Sequence, residues 1–116
     1  MIYAIRAVGT GYVKIGINVG KDIGLRLTQL QVGCPFELTV VALADWPSAM
    51  EGEIHAYLRR DWIRGEWFRL GQRTRKAVKM LKRGSIEEWN QHIASVPANR
   101  RLLRVIEYAD RNKLSC

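Results

Sequence analysis

Two β-prone runs at the start of the chain, residues 1–8 and 12–17, are separated by Gly9-Thr10-Gly11, and no other feature narrows the fold as much. Ile, Val and Tyr dominate both runs, and the glycines between them supply the backbone freedom of a tight hairpin, so an antiparallel pair is the expected opening element. The second run alternates, sending Val13, Ile15 and Ile17 to one face and Tyr12, Lys14 and Gly16 to the other. A cation therefore shares a strand face with a phenol.

After a loop at residues 18–21, Asp22 stands where it caps a helix whose Ile23, Leu27 and Leu30 recur at i, i+4 and i+7, ending near Gly33 and Pro35. Arg26 lies on the flank of that stripe. Residues 36–46, containing Leu38-Thr39-Val40-Val41, read as a third strand, and Pro47 suits the first turn of a second helix carrying Met50, Ile54 and Leu58. Glu51 and His55 fall one turn apart on it. Gly52 inside this helix costs roughly 1 kcal/mol against alanine, which a close approach by a strand or by nucleic acid would explain. Residues 65–70, Gly-Glu-Trp-Phe-Arg-Leu, form a short extended segment packed beside the sheet, with Trp67 and Phe68 in the core. The expected class is α/β in the α+β sense, a small three-stranded antiparallel sheet flanked by helices.

Beyond residue 70 the character changes. Residues 72–83 place Ala77, Val78 and Leu81 on one stripe and Arg73, Arg75, Lys76, Lys79, Lys82 and Arg83 around the rest, an amphipathic helix with a basic outer face. Ser85 caps a further helix running to Val96, with Glu88 at the capping-box position and Pro97 ending it. A last helix is expected over residues 99–113, burying Leu102, Val105, Ile106 and Ala109.

The 116 residues suffice for one compact domain, with residues 1–70 as a core and 71–116 as a basic helical extension packed on it. A formal charge of +8 points to a polyanionic partner, since neutralising phosphates releases counterions. The charge is lopsided: residues 1–58 hold four Lys/Arg against five Asp/Glu, and residues 59–116 hold fifteen against six. Cys34 and Cys116 are far apart in sequence and frame neither a disulfide scaffold nor a zinc knuckle. No basic leader opens the chain and no apolar run has the length of a membrane span, so a soluble, cytoplasmic protein without a membrane partner is expected.

Tyr3 in Ile2-Tyr3-Ala4-Ile5, then Tyr12-Val13-Lys14-Ile15-Gly16, Arg26-Leu27, Glu51 with His55, and Gly65-Glu66-Trp67-Phe68 occur in one order. This set resembles the GIY-YIG endonuclease superfamily, in particular the branch reading YVKIG, RL, ExxxH and GEWF, over residues 1 to about 70. The resemblance implies a metal-dependent endonuclease that hydrolyses phosphodiester bonds in DNA with one Mg²⁺ or Mn²⁺. Carried onto this chain, Tyr3 would help deprotonate or orient the attacking water. Arg26 would stabilise the charge building on the phosphate, and Glu51 would hold the metal through oxygen. His55 would act with Glu51 or touch the backbone. Met1 stands in place of the first motif's glycine. Lys14 stands in place of the second motif's tyrosine, as is usual in this branch. Tyr12, on the same strand face, is an alternative for that role, which stays unassigned.

Each residue also has a plainer reading. Glu51 and His55 are an ordinary helical pair, worth roughly 0.2 to 0.5 kcal/mol. Lys14 is either a phosphate contact or a solvated strand residue, and Glu66 is foremost a structural ion-pair partner for a cation such as Arg26 or Arg60. Ten cations stand against two acids in residues 59–83, which favours phosphate contact without choosing between DNA and RNA. Two rival functions follow: a catalytically inactive nucleic-acid-binding module on the same scaffold, and a domain whose basic helices dock on an acidic protein.

Overall fold

A computed structural model of the chain describes residues 1–20 and 22–95. The first two strands, β1 (Ile2–Ala7) and β2 (Tyr12–Ile17), form the expected hairpin, with Gly9 at φ 81° in its turn. Asp22 caps α1 (Ile23–Gln31), its carboxylate accepting from the Leu25 amide at 3.2 Å. Strand β3 (Leu38–Ala44) returns antiparallel to the outer edge of β1, with a register shift at Ala4/Ile5 that puts Val41 out of step. Helix α2 (Met50–Tyr57) follows, then a single 3₁₀ turn, Arg59–Asp61.

The sheet has five strands rather than three, in the order β3-β1-β2-β5-β4. The additional pair is a hairpin, β4 (Trp62–Arg64) and β5 (Trp67–Arg69), turned at Gly65 with φ 54°, and β5 adds antiparallel to β2. Three-residue strands show too little alternation to be read as such. The segment expected beside the sheet is part of it.

Strand alternation gives the sheet two apolar faces. On one, Ile2, Ala4, Val13, Ile15 and Phe68 meet Ile54 and Leu58, the stripe of α3 (Gln72–Arg83) and Trp89 and Ile93 of α4 (Ile86–Ala94). On the other, Tyr3, Ile5 and Ala7 meet the half-buried Ile23, Leu27 and Leu30 of α1. Helix α3 starts under the buried Asp61, which accepts from the Thr74 hydroxyl at 3.0 Å, and it stops at Gly84, whose left-handed φ of 69° closes the last turn. Ser85 caps α4 through the Glu88 amide, while the Glu88 carboxylate turns to Arg83 at 3.3 Å rather than completing a capping box. Helix α4 ends at Ala94; Val96, Pro97, the expected last helix and Cys116 lie outside the described residues. Among the described residues no helix is long and apolar enough to cross a membrane.

Candidate active site

The site is built over a glycine. Tyr3 and Gly16 are direct partners across the β1–β2 ladder, and the Tyr3 ring leans over the space where Gly16 has no side chain. A Cβ at Gly16 would stand 2.6 Å from the phenol oxygen and against Glu66 Oε2. No larger residue fits without moving them. Tyr3 is fully buried with its oxygen facing the Arg26 guanidinium, and Glu66 Oε2 faces Lys14 Nζ at 3.5 Å, yet the Tyr3 oxygen, Arg26 Nε and Glu66 Oε2 have no well-formed hydrogen bond among the described residues. Buried polar atoms so loosely partnered are few in a native fold, and a ligand or a chemical role would account for them.

Burial and the nearby Glu66 carboxylate raise the Tyr3 pKa, and the adjacent Arg26 guanidinium opposes them only in part. Tyr3 is therefore a neutral phenol at pH 7, suited to donating or orienting rather than to taking a proton as phenolate.

Glu66 enters the cluster because Gly65 turns the β4–β5 hairpin there. Its carbonyl accepts from the Ile15 amide at 3.0 Å, and its carboxylate lies 3.5 Å from Lys14 Nζ. Its ion-pair partner is thus Lys14 and not Arg26 or Arg60. Lys14 is no solvated strand residue either, since its side chain is only 13% exposed. A role in the site for Glu66 was hidden from the sequence, because it depends on the register of a three-residue strand.

Helix α2 supplies Glu51 and His55 to an edge. β5 pairs with β2 only as far as Lys14, and beyond the Ile15 amide, which the Glu66 carbonyl takes, the Ile15 carbonyl and the Ile17 amide have no strand beside them. His55 Nε2 donates to the Ile15 carbonyl at 2.6 Å, and the next open group, the Ile17 amide, points at the Glu51 carboxylate. The i, i+4 spacing on the helix matches two successive outward groups on the strand. Burial lowers the His55 pKa to about 4, so the ring is neutral, and its tilted contact with the Phe68 ring at 4.9 Å helps hold it as a strut. The alternative of touching the backbone is the one observed. Glu51 is pushed up to about 7, first by burial and then by the Glu66 carboxylate, with Lys14 and the Ile17 amide pulling the other way. Gly52 has no close neighbour, for a Cβ there meets nothing within 4 Å. The close approach expected at Gly52 occurs at Gly16.

Tyr3, Lys14, Arg26, Glu51 and Glu66 therefore act on one another electrostatically in one place. Tyr12 shares the strand face but lies two residues further along, 46% exposed on the rim of a neighbouring cleft. The basic helix lies elsewhere. Helix α3 packs on the opposite sheet face, where Arg75, Lys79 and Lys82 join Arg6 around a groove of about 280 Å³ floored by Val13, Val41, Leu70 and Val78. Lys76 and Lys79 flank a second hollow toward α4. Arg73 departs from the expected phosphate-binding set: it donates to the Tyr57 carbonyl at 3.0 Å and lies 4.9 Å over that ring. Arg83 is shared with Glu88.

Among the described residues no group of three or more His, Cys, Asp and Glu gathers to hold a metal. Glu51 and Glu66 offer two repelling carboxylates, an oxygen donor set that suits Mg²⁺ or Mn²⁺, since hard cations are often held by one or two carboxylates with water and substrate phosphate completing the shell. No protein-family model, curated protein or solved structure matches this chain.

Proposed function

We propose that the chain is a phosphodiester hydrolase of the GIY-YIG type acting on DNA. The observation that carries this reading is the convergence over Gly16 of a buried phenol, a guanidinium, an ammonium and two carboxylates drawn from four elements and a turn. Arg26 and Lys14 would hold the non-bridging oxygens of the phosphate and offset charge as it builds in the transition state. Tyr3, kept as a neutral phenol, would orient the attacking water. Glu51 and Glu66 would hold a divalent cation, whose chemistry when bound is to polarise the phosphate and lower the pKa of a coordinated water. His55 is a positioning residue, tying Glu51's helix to β2.

Plasmid nicking by purified protein in Mg²⁺ or Mn²⁺ tests the proposal. Arg26→Ala and Glu51→Gln should each lose about 10² or more in rate; nicking that survives both removes the mechanism.

One observation favours a second reading, a nucleic-acid-binding module without catalysis: the exposed cations of α3 face away from the cluster. It requires salt-sensitive duplex binding and no cleavage under any metal. An affinity indifferent to salt would exclude it.

A further inference from the structure

Beside the cluster, on the α1 face of the sheet, lies an open cleft of about 380 Å³. Its walls include Tyr12, Lys14, Leu30, Val32, Phe36 and Trp67. Lys14 belongs to both places, lining the cleft and pairing with Glu66, and it faces Trp67 across the β2–β5 ladder. The cleft and the candidate active site are therefore adjoining parts of one surface.

Three features of the cleft stand out together. Tyr12, Val32 and Phe36 are among the large apolar side chains most exposed in the described residues, at 46%, 80% and 45%, and they come from the start of β2 and from the α1–β3 connection to one hollow. Two are aromatic and Trp67 joins them in the lining, so the hollow presents three flat rings among smaller apolar residues. Among the described residues its only charged lining residue is Lys14, at the side toward the cluster. A flat apolar group joined to an anion fits that layout, with its ring among Tyr12, Phe36 and Trp67 and its phosphate toward Lys14 and Arg26.

We infer that the cleft takes an unpaired nucleobase of the strand being cut, next to the scissile phosphate. The inference rests on the hydrolase reading above and narrows its substrate. A base held in a Watson–Crick pair cannot stack in a hollow of this kind, so DNA carrying a bulged, extruded or single-stranded nucleotide is preferred over a continuous duplex. The preference comes from stacking and is tolerant of base identity, because every base has a π-face.

The test compares binding, in EDTA and by fluorescence anisotropy, of two duplexes of the same sequence, one with a single-nucleotide bulge and one whose bulge is abasic. The two have the same length and backbone charge and differ by the one base. Wild-type protein should bind the base-bearing bulge about tenfold or more tightly than the abasic one. Tyr12→Ser with Phe36→Ser, both exposed side chains whose loss leaves the core intact, should abolish the difference. Equal affinities in the wild type, or a difference that survives the double substitution, overturn the inference. So does a concentration-dependent dimer in sedimentation that the same double substitution dissolves, since a second copy would then be the occupant. Cleavage in Mn²⁺ is scored separately: base discrimination without cleavage removes the hydrolase reading and keeps the base site, whereas cleavage without discrimination does the reverse.

Discussion

The cluster over Gly16 and the groove beside α3 are both charged, and they are built by opposite rules. In the cluster the groups act on one another: Lys14 lies 3.5 Å from Glu66, Glu51 is pushed up by burial and then by Glu66, and Tyr3 is raised by burial and then by Glu66 against the pull of Arg26. In the groove, Arg75, Lys79 and Lys82 stand exposed beside Arg6, with no ion pair among the described residues. The first arrangement holds its groups against one another in a buried place, which suits chemistry on a phosphate; the second offers exposed charge, which suits a partner recognised by its field. The two lie on opposite faces of one sheet, so a polyanion engaged by both must pass around an edge.

The sharpest way to break this contrast is Gly16→Ala. Its methyl would collide with the Tyr3 oxygen and Glu66, so cleavage should fall by about 10² to 10³, while duplex affinity at the groove stays unchanged. Stability should drop by only about 1 to 3 kcal/mol. Equal losses in binding and cleavage would mean that the two regions are not separate.

A second effect is a pH dependence of stability, followed by urea unfolding in EDTA. His55 has a folded pKa near 4 against 6.5 when free, so the unfolded state binds the extra proton between those values and stability falls as pH drops from 6.5 to 4. Its size is about 3 kcal/mol. Glu51 opposes it: with a folded pKa near 7 against 4.5, its contribution is present at low pH and lost as pH rises through 7. Glu51→Gln should therefore expose the full His55 slope, and adding His55→Gln, whose amide still donates to Ile15, should flatten the profile. A flat profile in Glu51→Gln alone would deny His55 its buried neutral role.

Converting Arg75, Lys79 and Lys82 together to Gln should weaken duplex binding about tenfold at moderate salt and reduce the log-log salt slope by up to about 3, with the cleavage rate at saturating DNA retained. A slope equal to the wild-type value would place the duplex elsewhere. The smallest effect belongs to Arg73→Ala, which removes a backbone hydrogen bond and a ring contact; about 1 kcal/mol of stability should be lost with no change in salt slope.

These contrasts bear on what the residues alone could disclose. Strand alternation was enough to put Lys14 and Gly16 on one face, and a capping Asp with a 3.6-residue stripe was enough for α1. Helix α3 was legible to its end residues because Ala77 and Leu81 alternate with cations and Gly84 stops it. Periodicity carries such information because it is local. The Lys14 partner of Glu66 and the Tyr57 partner of Arg73 were not legible for a shared reason: each comes from a distant segment, and nothing in a short strand or a charged helix turn specifies which. Gly52 and Gly16 make the same point, since only the fold says which missing side chain leaves room for another residue.

The brevity of β5 has a further outcome. Where that strand stops, β2 would present unclaimed donors and acceptors, the feature by which sheets recruit foreign strands and seed aggregates. Glu51 and His55 occupy those groups, so the carboxylate proposed to hold the cation also helps keep the protein from polymerising through its own edge. Variants that empty that position will be read correctly only if insolubility is separated from inactivity, and an isosteric amide is the replacement that keeps the guard in place.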